Sequence, residues 1–528
     1  MPALDGDLPA PNSQAQPASK FDPSVSRAGY LPIIEALIIG TVAGLSAIVL
    51  LNGIKTVGAW RIAMSTRYPA IIVLPGIGLV GGLLAGLLVH LAPEVSGSGI
   101  PQVRALLSRI NLKLDLKSAV VKLLGGVIAL GSGLFMGREG PTVQVGAALA
   151  AQLSRWLPTS AQHRRELIAA GAGAGLAAAF NAPIAGVTFV LEELLKEVTP
   201  HGVSIALIAC FSAAVVENLM GNARAHSAIS HPGAPAPVHL IDIAFYALLG
   251  LLAAFFGGAF NTLIMGFLRA YKQSRLPTFV RTSFAGLLTG IIVASLPVIF
   301  HNYAEARQLI NSATVPPDMV PTAFAAYFAL VLIAYGSGAP GGLFAPSLVL
   351  GAALGYIVGF AHWQFTGNNL IDIFTQVGMG AFFAAVARVP LTASVIVFEM
   401  SGNFSLIAPL MIASVIGSAA AEKLRKGSLY DDLMVWSGIH LYGPRAQKEA
   451  KTIRVFEVMD HELPPGRLAD YRVSVSPYDN LEDILFLFGR YGFDWLPVTD
   501  DQKVLGTVKR STVLESLFPG SDQLPLAV

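Results

Sequence analysis

From Tyr30 to about Tyr430 the chain is a succession of apolar runs joined by short polar connections. They lie near 30–53, 69–92, 118–136, 164–180, 201–219, 239–268, 278–300, 318–335, 343–363, 372–386 and 404–421. The first is long enough to cross a bilayer as a helix. Three further segments, 142–154, 183–195 and 390–400, are too short or too interrupted to span cleanly. Helices that stop at mid-membrane are tolerated only where their ends are buried in protein or line a hydrated cavity. Such ends are where transporters keep their ligands. The pattern predicts an all-α polytopic membrane protein with broken helices over 29–435. Residues 1–28 are polar, rich in Pro, Ser, Ala and Gln, and are expected to be a disordered tail; no short apolar stretch of a secretory signal follows Met1. Beyond Tyr430 the pattern changes. A linker is expected over 436–452 and a small soluble α/β unit over 453–520. In that unit Val473–Val475 reads as a strand, Asp479 and Glu482 as a helix N-terminal signature ahead of the amphipathic Leu481–Phe488, Trp495–Val498 and Val504–Val508 as a strand pair, and Ser511–Leu517 as a last helix.

Composition supports the membrane reading. The chain has 528 residues, of which 54% are apolar and only 13% charged, with a mean hydropathy of +0.62. Soluble domains carry about 25% charged residues, so most of this surface must face lipid or other apolar segments. Frequent glycine and proline in so apolar a chain point to closely packed, interrupted helices. A net charge of +2 gives no reason to expect a nucleic-acid partner, and Cys210, the single cysteine, allows no intrachain disulfide.

The chain also repeats itself. Gly137-Arg-Glu-Gly-Pro141, continuing to Gly146 and Leu149, matches Gly342-Leu-Phe-Ala-Pro346, continuing to Gly351 and Leu354, at an offset of 205. Further on, Gly171, Gly173, Ala177, Ala178, Pro183 and Glu192 recur as Gly378, Gly380, Ala384, Ala385, Pro390 and Glu399, at an offset of 207. Two blocks in the same order at nearly the same offset predict two related halves, about 29–225 and 240–435, divided in the polar stretch Gly221–His239. Repeated halves with broken helices place a transport site between them. Gly97-Ser-Gly-Ile-Pro101 also resembles Gly336-Ser-Gly-Ala-Pro340, but at an offset of 239, so it reads as a similar local solution outside the duplication.

Three glycine- and proline-punctuated elements, Gly97–Pro101, Gly137–Pro141 and Gly341–Pro346, open helices inside the apolar region. Proline suits the first helical turn, where its missing N–H is not needed, and glycine lets backbone approach a ligand. Unpaired N–H groups and the positive dipole end of a helix attract anions. Three such starts can hold an anion that must also leave.

These elements resemble the signature motifs of the CLC family of chloride channels and chloride/proton exchangers, and Gly427-Ser-Leu-Tyr430 sits where that family places its pore tyrosine. The resemblance covers about 30–435 and implies the family's inverted-repeat membrane fold. It implies a central chloride held by the hydroxyls of Ser98 and Tyr430 and by the N–H groups of Leu343 and Phe344, with Gly137, Arg138 and Gly140 also expected to bind chloride. Glu139 would be the gating glutamate, its carboxylate competing with chloride; otherwise it is a helix cap paired with Arg138. Glu193 matches the internal proton-transfer glutamate of family exchangers; otherwise it caps a helix at the membrane face. Glu192 has its duplicate in Glu399, which points to structure, whereas Glu193 aligns with Met400. Serine at 98, where plant nitrate exchangers tend to carry proline, makes chloride the expected anion.

The unit at 453–520 resembles a cystathionine-β-synthase-type (CBS) domain through Val458-Met459, Val475-Ser476-Pro477, Leu496-Pro497-Val498 and Gly506-Thr507-Val508. Lys509 and Thr512 stand where nucleotide-binding copies carry Thr or Ser and Asp, which argues against adenosine binding. The expectation is a homodimeric, cofactor-free chloride/proton antiporter in a bacterial inner membrane, both termini cytoplasmic; the alternative is a passive chloride channel of the same fold. A divalent-cation channel would need several acids facing one pore. An enzyme would need a nucleophile–base pair, and Ser98 has none. His90, His201, His301 and His362 show no metal-ligand spacing, so no metal site is expected. Lys122, inside an apolar run, either holds a buried ion pair or shapes the anion's potential, and Arg388 reads as structural.

Overall fold

Each apolar run folds as a helix, in the predicted order. The computed structural model describes residues 30–108, 112, 114–156, 160–220, 239–297, 316–437, 450, 452–460, 474–491, 494–500 and 503–517. The expected N-terminal tail, nearly all of the inter-half stretch and most of the linker lie outside them. The first half comprises α1 (Leu31–Arg67), α2 (Ala70–Leu91), α3 (Ile100–Leu107), α4 (Leu116–Gly131), α5 (Glu139–Trp156), α6 (Ala161–Phe180), α7 (Pro183–Phe189), which runs on as a π-helical turn over Val190–Leu195, and α8 (Pro200–Met220). The second comprises α9 (Leu240–Gln273), α10 (Thr278–Ser295), α11 (Val320–Gly336), α12 (Phe344–Thr366), α13 (Ile371–Ala387), α14 (Pro390–Ser401), α15 (Ile407–Leu424) and α16 (Leu429–Trp436).

Among the described residues seven helical segments are long and apolar enough to cross a membrane. Six keep less than half of their most apolar stretch inside the protein and expose large side chains such as Ile72, Val80, Leu219 and Phe255, as lipid-facing helices do. The seventh, α12, is 83% buried over that stretch. It is an internal helix, and its start is positioned by protein alone.

The duplication is visible in the packing. Cβ atoms added at Gly146 and at its duplicate Gly351 would lie 2.2 and 2.3 Å from the carbonyl oxygens of Gly171 and Gly378, so α5 meets α6 as α12 meets α13, backbone against backbone. Gly137 and Gly342, themselves duplicates, exchange both backbone hydrogen bonds (N···O 2.7 and 2.6 Å) in an antiparallel bridge. A residue paired antiparallel with its own duplicate lies beside a pseudo-two-fold axis, the symmetry of an inverted repeat. The caps obey the same symmetry. Glu192 accepts from the N–H groups of Leu391 and Thr392 at the start of α14 (3.1 and 2.7 Å). Its duplicate Glu399 accepts from Ile184 and Ala185 at the start of α7 (3.0 and 2.6 Å). Each half thus caps a helix of the other. The third resemblance is local, as expected: Gly99 and Gly338 share a left-handed backbone (φ 93° and 88°).

The C-terminal unit contains α17 (Val455–Val458), α18 (Leu481–Tyr491), β1 (Trp495–Asp500), β2 (Lys503–Lys509) and α19 (Arg510–Leu517). The strands pair antiparallel from Trp495↔Lys509 to Asp500↔Lys503, and Val475 bridges Val498 in parallel. Val473 lies outside the described residues. Val455, Leu481, Ile484, Phe488, Val498 and Val513 form the core. The helix signature needs one correction. Asn480 caps α18 by accepting from Asp483 N–H (3.0 Å), while Asp479 closes the preceding turn on Ser476 N–H (2.8 Å). Lys509 pairs with Asp460 (2.9 Å).

Candidate functional site

The three motif loops converge. Gly341 donates to Gly97 O (3.1 Å), Ser96 Oγ donates to Gly338 O (2.9 Å), and the Gly137–Gly342 bridge ties the remaining pair. The starts of α3, α5 and α12 therefore lie around one buried point, with Ser98, Glu139, Leu343 and Phe344 all essentially inaccessible. Lys122 sits beneath the first loop and donates to the carbonyls of Val95 and Gly97 (2.8 and 2.6 Å). These bonds turn the carbonyls toward the ammonium and fix the loop that carries Ser98.

Glu139 is the first residue of α5, yet its side chain does not point away to solvent. Oε2 accepts from Ala345 N–H in the first turn of α12 (3.3 Å), and Oε1 lies 3.6 Å from Arg138 Nε. A carboxylate therefore fills the anion-attracting end of a second helix. Arg138 also donates to Ala179 O (3.0 Å), anchoring it to the end of α6. Ser98 Oγ has no hydrogen-bond partner among the described residues. A buried hydroxyl left in that state is poised for a ligand. The N–H of Gly137 is committed to Gly342 and is not open to an anion, which corrects the expectation for that residue; it holds the loop. Gly140, the second residue of α5, packs against Ser98 and Gly342.

Tyr430 is the second residue of α16 and fully buried; Glu193, Tyr335 and Glu139 lie within electrostatic reach of its hydroxyl. Ser428 and Asp431 cap α16 reciprocally: Ser428 Oγ accepts from Asp431 N–H (3.1 Å) and Asp431 Oδ2 from Ser428 N–H (3.0 Å). The Tyr335 hydroxyl meets the backbone of Ser98.

Glu193 lies in the π-helical turn after α7, buried, with its carboxylate 2.8 Å from Arg104 Nη1. Arg104 Nη2 lies 2.7 Å from Asp431 Oδ1. One buried guanidinium on α3, the helix that follows Ser98, thus joins Glu193 to the residue after Tyr430. A cavity of about 490 Å³ opens beside this group, lined by Glu192, Glu193, Lys196, Arg388, Ser428 and Asp431. Sequence reasoning passed over Arg104, Asp431 and Tyr335. A cation seven residues into the element opened at Gly97, an acid adjoining Tyr430 and a tyrosine abutting Gly336 were the available signals. Arg388 is structural as expected, bound to Glu422 (3.2 Å) and Arg425 O (3.1 Å).

Inverted halves, broken helices meeting end-on and a carboxylate seated at a helix start define a membrane transporter for anions. The chain belongs to the family described as "Voltage gated chloride channel", which it matches over residues 80–422, and residues 455–518 match the CBS domain. It is 35% identical over 357 residues to the "H(+)/Cl(-) exchange transporter ClcA" of Vibrio cholerae serotype O1 (strain M66-2), covering 66% of this chain and 76% of that protein. The protein of the same description from Citrobacter koseri is 31% identical over 418 residues, covering 76% and 88%. Among solved structures it resembles a slow cyanobacterial Cl-/H+ antiporter (TM-score 0.70, 29% identity, 77% of this chain and 97% of that one). It also shares the fold of a eukaryotic CLC transporter (TM-score 0.72, 21% identity, 91% and 97%).

Proposed function

We propose that this protein exchanges chloride for protons across a bacterial inner membrane, as a homodimer with cytoplasmic termini. One observation carries the reading: the Glu139 carboxylate occupies the N-terminal end of α12, bound to Ala345 N–H. In that seat it competes with an anion for the same donors and dipole. A proton on Glu139 removes the charge and with it the attraction, so the carboxyl leaves and chloride enters. Ser98 Oγ, the Tyr430 hydroxyl and the N–H groups of Leu343 and Phe344 would then hold chloride without a full positive charge in contact, so that the ion can also leave. Glu193, beside the cavity, would pass protons inward. The CBS unit would have a packing or regulatory role, without adenosine.

A second reading, passive chloride passage, is favoured by one contact. Glu193 and Arg104 form a buried ion pair at 2.8 Å, a structural role for this acid that requires no proton transfer. Reconstituted vesicles with an imposed chloride gradient separate the two. Wild type should drive protons uphill, while Glu139→Ala and Glu193→Gln should pass chloride without protons. Chloride flux in wild type with no coupled proton movement would establish the passive reading instead.

A further inference from the structure

At the starts of α6 and α8, away from the anion path, two histidines and a glutamate converge on one point. His163 Nδ1 faces His201 Nε2 at 3.0 Å, and His201 Nε2 lies 3.7 Å from Glu166 Oε2. One ligand atom from each of the three residues lies within 4.8 Å of the others. The expectation that His201 stands apart from other potential ligands is thereby corrected. His163 sits 38 residues away in sequence, too far for a local spacing to reveal.

The surroundings orient two of the three groups. His163 Nε2 is 2.6 Å from Glu35 Oε2 on α1. A carboxylate there accepts a hydrogen bond from Nε2–H and so favours the tautomer whose Nδ1 lone pair faces inward, the arrangement that orients metal-bound histidines. Glu166 Oε1 accepts from Gln162 Nε2 (3.0 Å) and Thr199 Oγ1 (3.1 Å). Those bonds turn Oε2 toward the histidines. The Glu166 side chain is 3% exposed, and Oε2 has no hydrogen-bond partner among the described residues. A buried carboxylate oxygen held in that position costs free energy unless something positive completes it.

We propose that His163 Nδ1, His201 Nε2 and Glu166 Oε2 form a binding site for a divalent transition ion, with Zn²⁺ the best fit, and that Glu35 and Gln162 orient the ligands. Zn²⁺ bonds of about 2.0–2.2 Å in a tetrahedron set ligand atoms roughly 3.3 Å apart. Two of the three separations, 3.0 and 3.7 Å, bracket that value, and the third lies within 4.8 Å. Two nitrogens and one carboxylate oxygen are a donor set that zinc accepts, with the half-exposed side of His201 left for water. The two helix starts oppose a cation through their dipoles, and the two carboxylates offset that opposition. A bound ion would staple α6 to α8, with α1 attached through Glu35. This inference is independent of the transport reading.

The test uses the full chain purified in detergent and stripped of metal. Zn²⁺ titrated by calorimetry should bind at one site per chain, and Co²⁺ in its place should show the intense visible bands of a four-coordinate ion. His201→Ala, a half-exposed position that folding tolerates, should weaken Zn²⁺ binding at least tenfold and abolish the bands. Glu166→Gln should do likewise, and Glu35→Gln should cost about 10–100-fold. Zn²⁺ should also raise the thermal midpoint of wild type and not that of His201→Ala. Equal Zn²⁺ affinity in wild type and a His163→Ala/His201→Ala double variant would overturn the site. So would a wild type that binds no Zn²⁺ while His163 and His201 only share a proton.

Discussion

Removing Arg104 should damage the protein more than removing the acid it holds, because the two changes strand different charges. Arg104 and Glu193 are both almost fully buried, whereas Asp431 is 39% exposed toward the cavity. Charge centres roughly 4 Å apart interact by about 4 kcal/mol at the effective dielectric of such sites. In Arg104→Met, Asp431 keeps Lys196 Nζ at 3.7 Å and both bonds to Ser428, but Glu193 loses its principal partner. Leaving a buried charge unpaired costs about 3–5 kcal/mol. In Glu193→Gln, Arg104 retains Asp431 and can still donate to the amide oxygen, so the cost should be about 1–2 kcal/mol. The double variant strands neither Glu193 nor a guanidinium and should be more stable than Arg104→Met alone. Equilibrium unfolding in mixed micelles, read as a double-mutant cycle, measures this. Additivity within about 0.5 kcal/mol would refute the reasoning, since it would mean that the contact carries no coupling.

Glu399→Ala should uncap α7, strand the N–H groups of Ile184 and Ala185, and destabilise the fold by roughly 1–2 kcal/mol by the same unfolding assay. Gly140→Ala would drive a methyl to within 2.3 Å of Ser98 O, so chloride flux should fall sharply, and protein that still folds should lose about 1–3 kcal/mol. Asp115 caps α4 through Ser118 N–H, and that bond holds its carboxyl below the usual carboxylate range. With a depressed folded value, its contribution is present above the unfolded pKa and is lost as pH falls through the folded one. Asp115→Ala should therefore cost about 1 kcal/mol at neutral pH and nothing in strong acid, measured by thermal midpoints across pH.

The helices and the duplication were legible because apolar length and repeated glycine spacing are local properties of a chain. The pairing of Glu192 with α14 was legible only in part. The repeat marked Glu192 and Glu399 as equivalent, but two residues at equivalent positions do not announce that each reaches into the other half. Arg104 was invisible for a different reason. Its two acids are 89 and 327 residues away, and no local pattern encodes such contacts. His163 and His201 share that difficulty. Gly137 was counted among the chloride-binding residues, and only the fold reveals that its N–H is consumed by its duplicate.

The exchanged caps have a consequence for how the chain is made. The acceptor for the start of α7 is 215 residues further along than Ile184. At about 5–20 residues per second, a ribosome delivers it roughly 10–40 s later. Over that interval the first half holds an apolar helix with an unfinished end, and the π-helical turn carrying Glu193 follows directly from that helix. A helix of the first half is thus completed by a residue near the end of the second, and a chain truncated before Glu399 would leave the start of α7 uncapped.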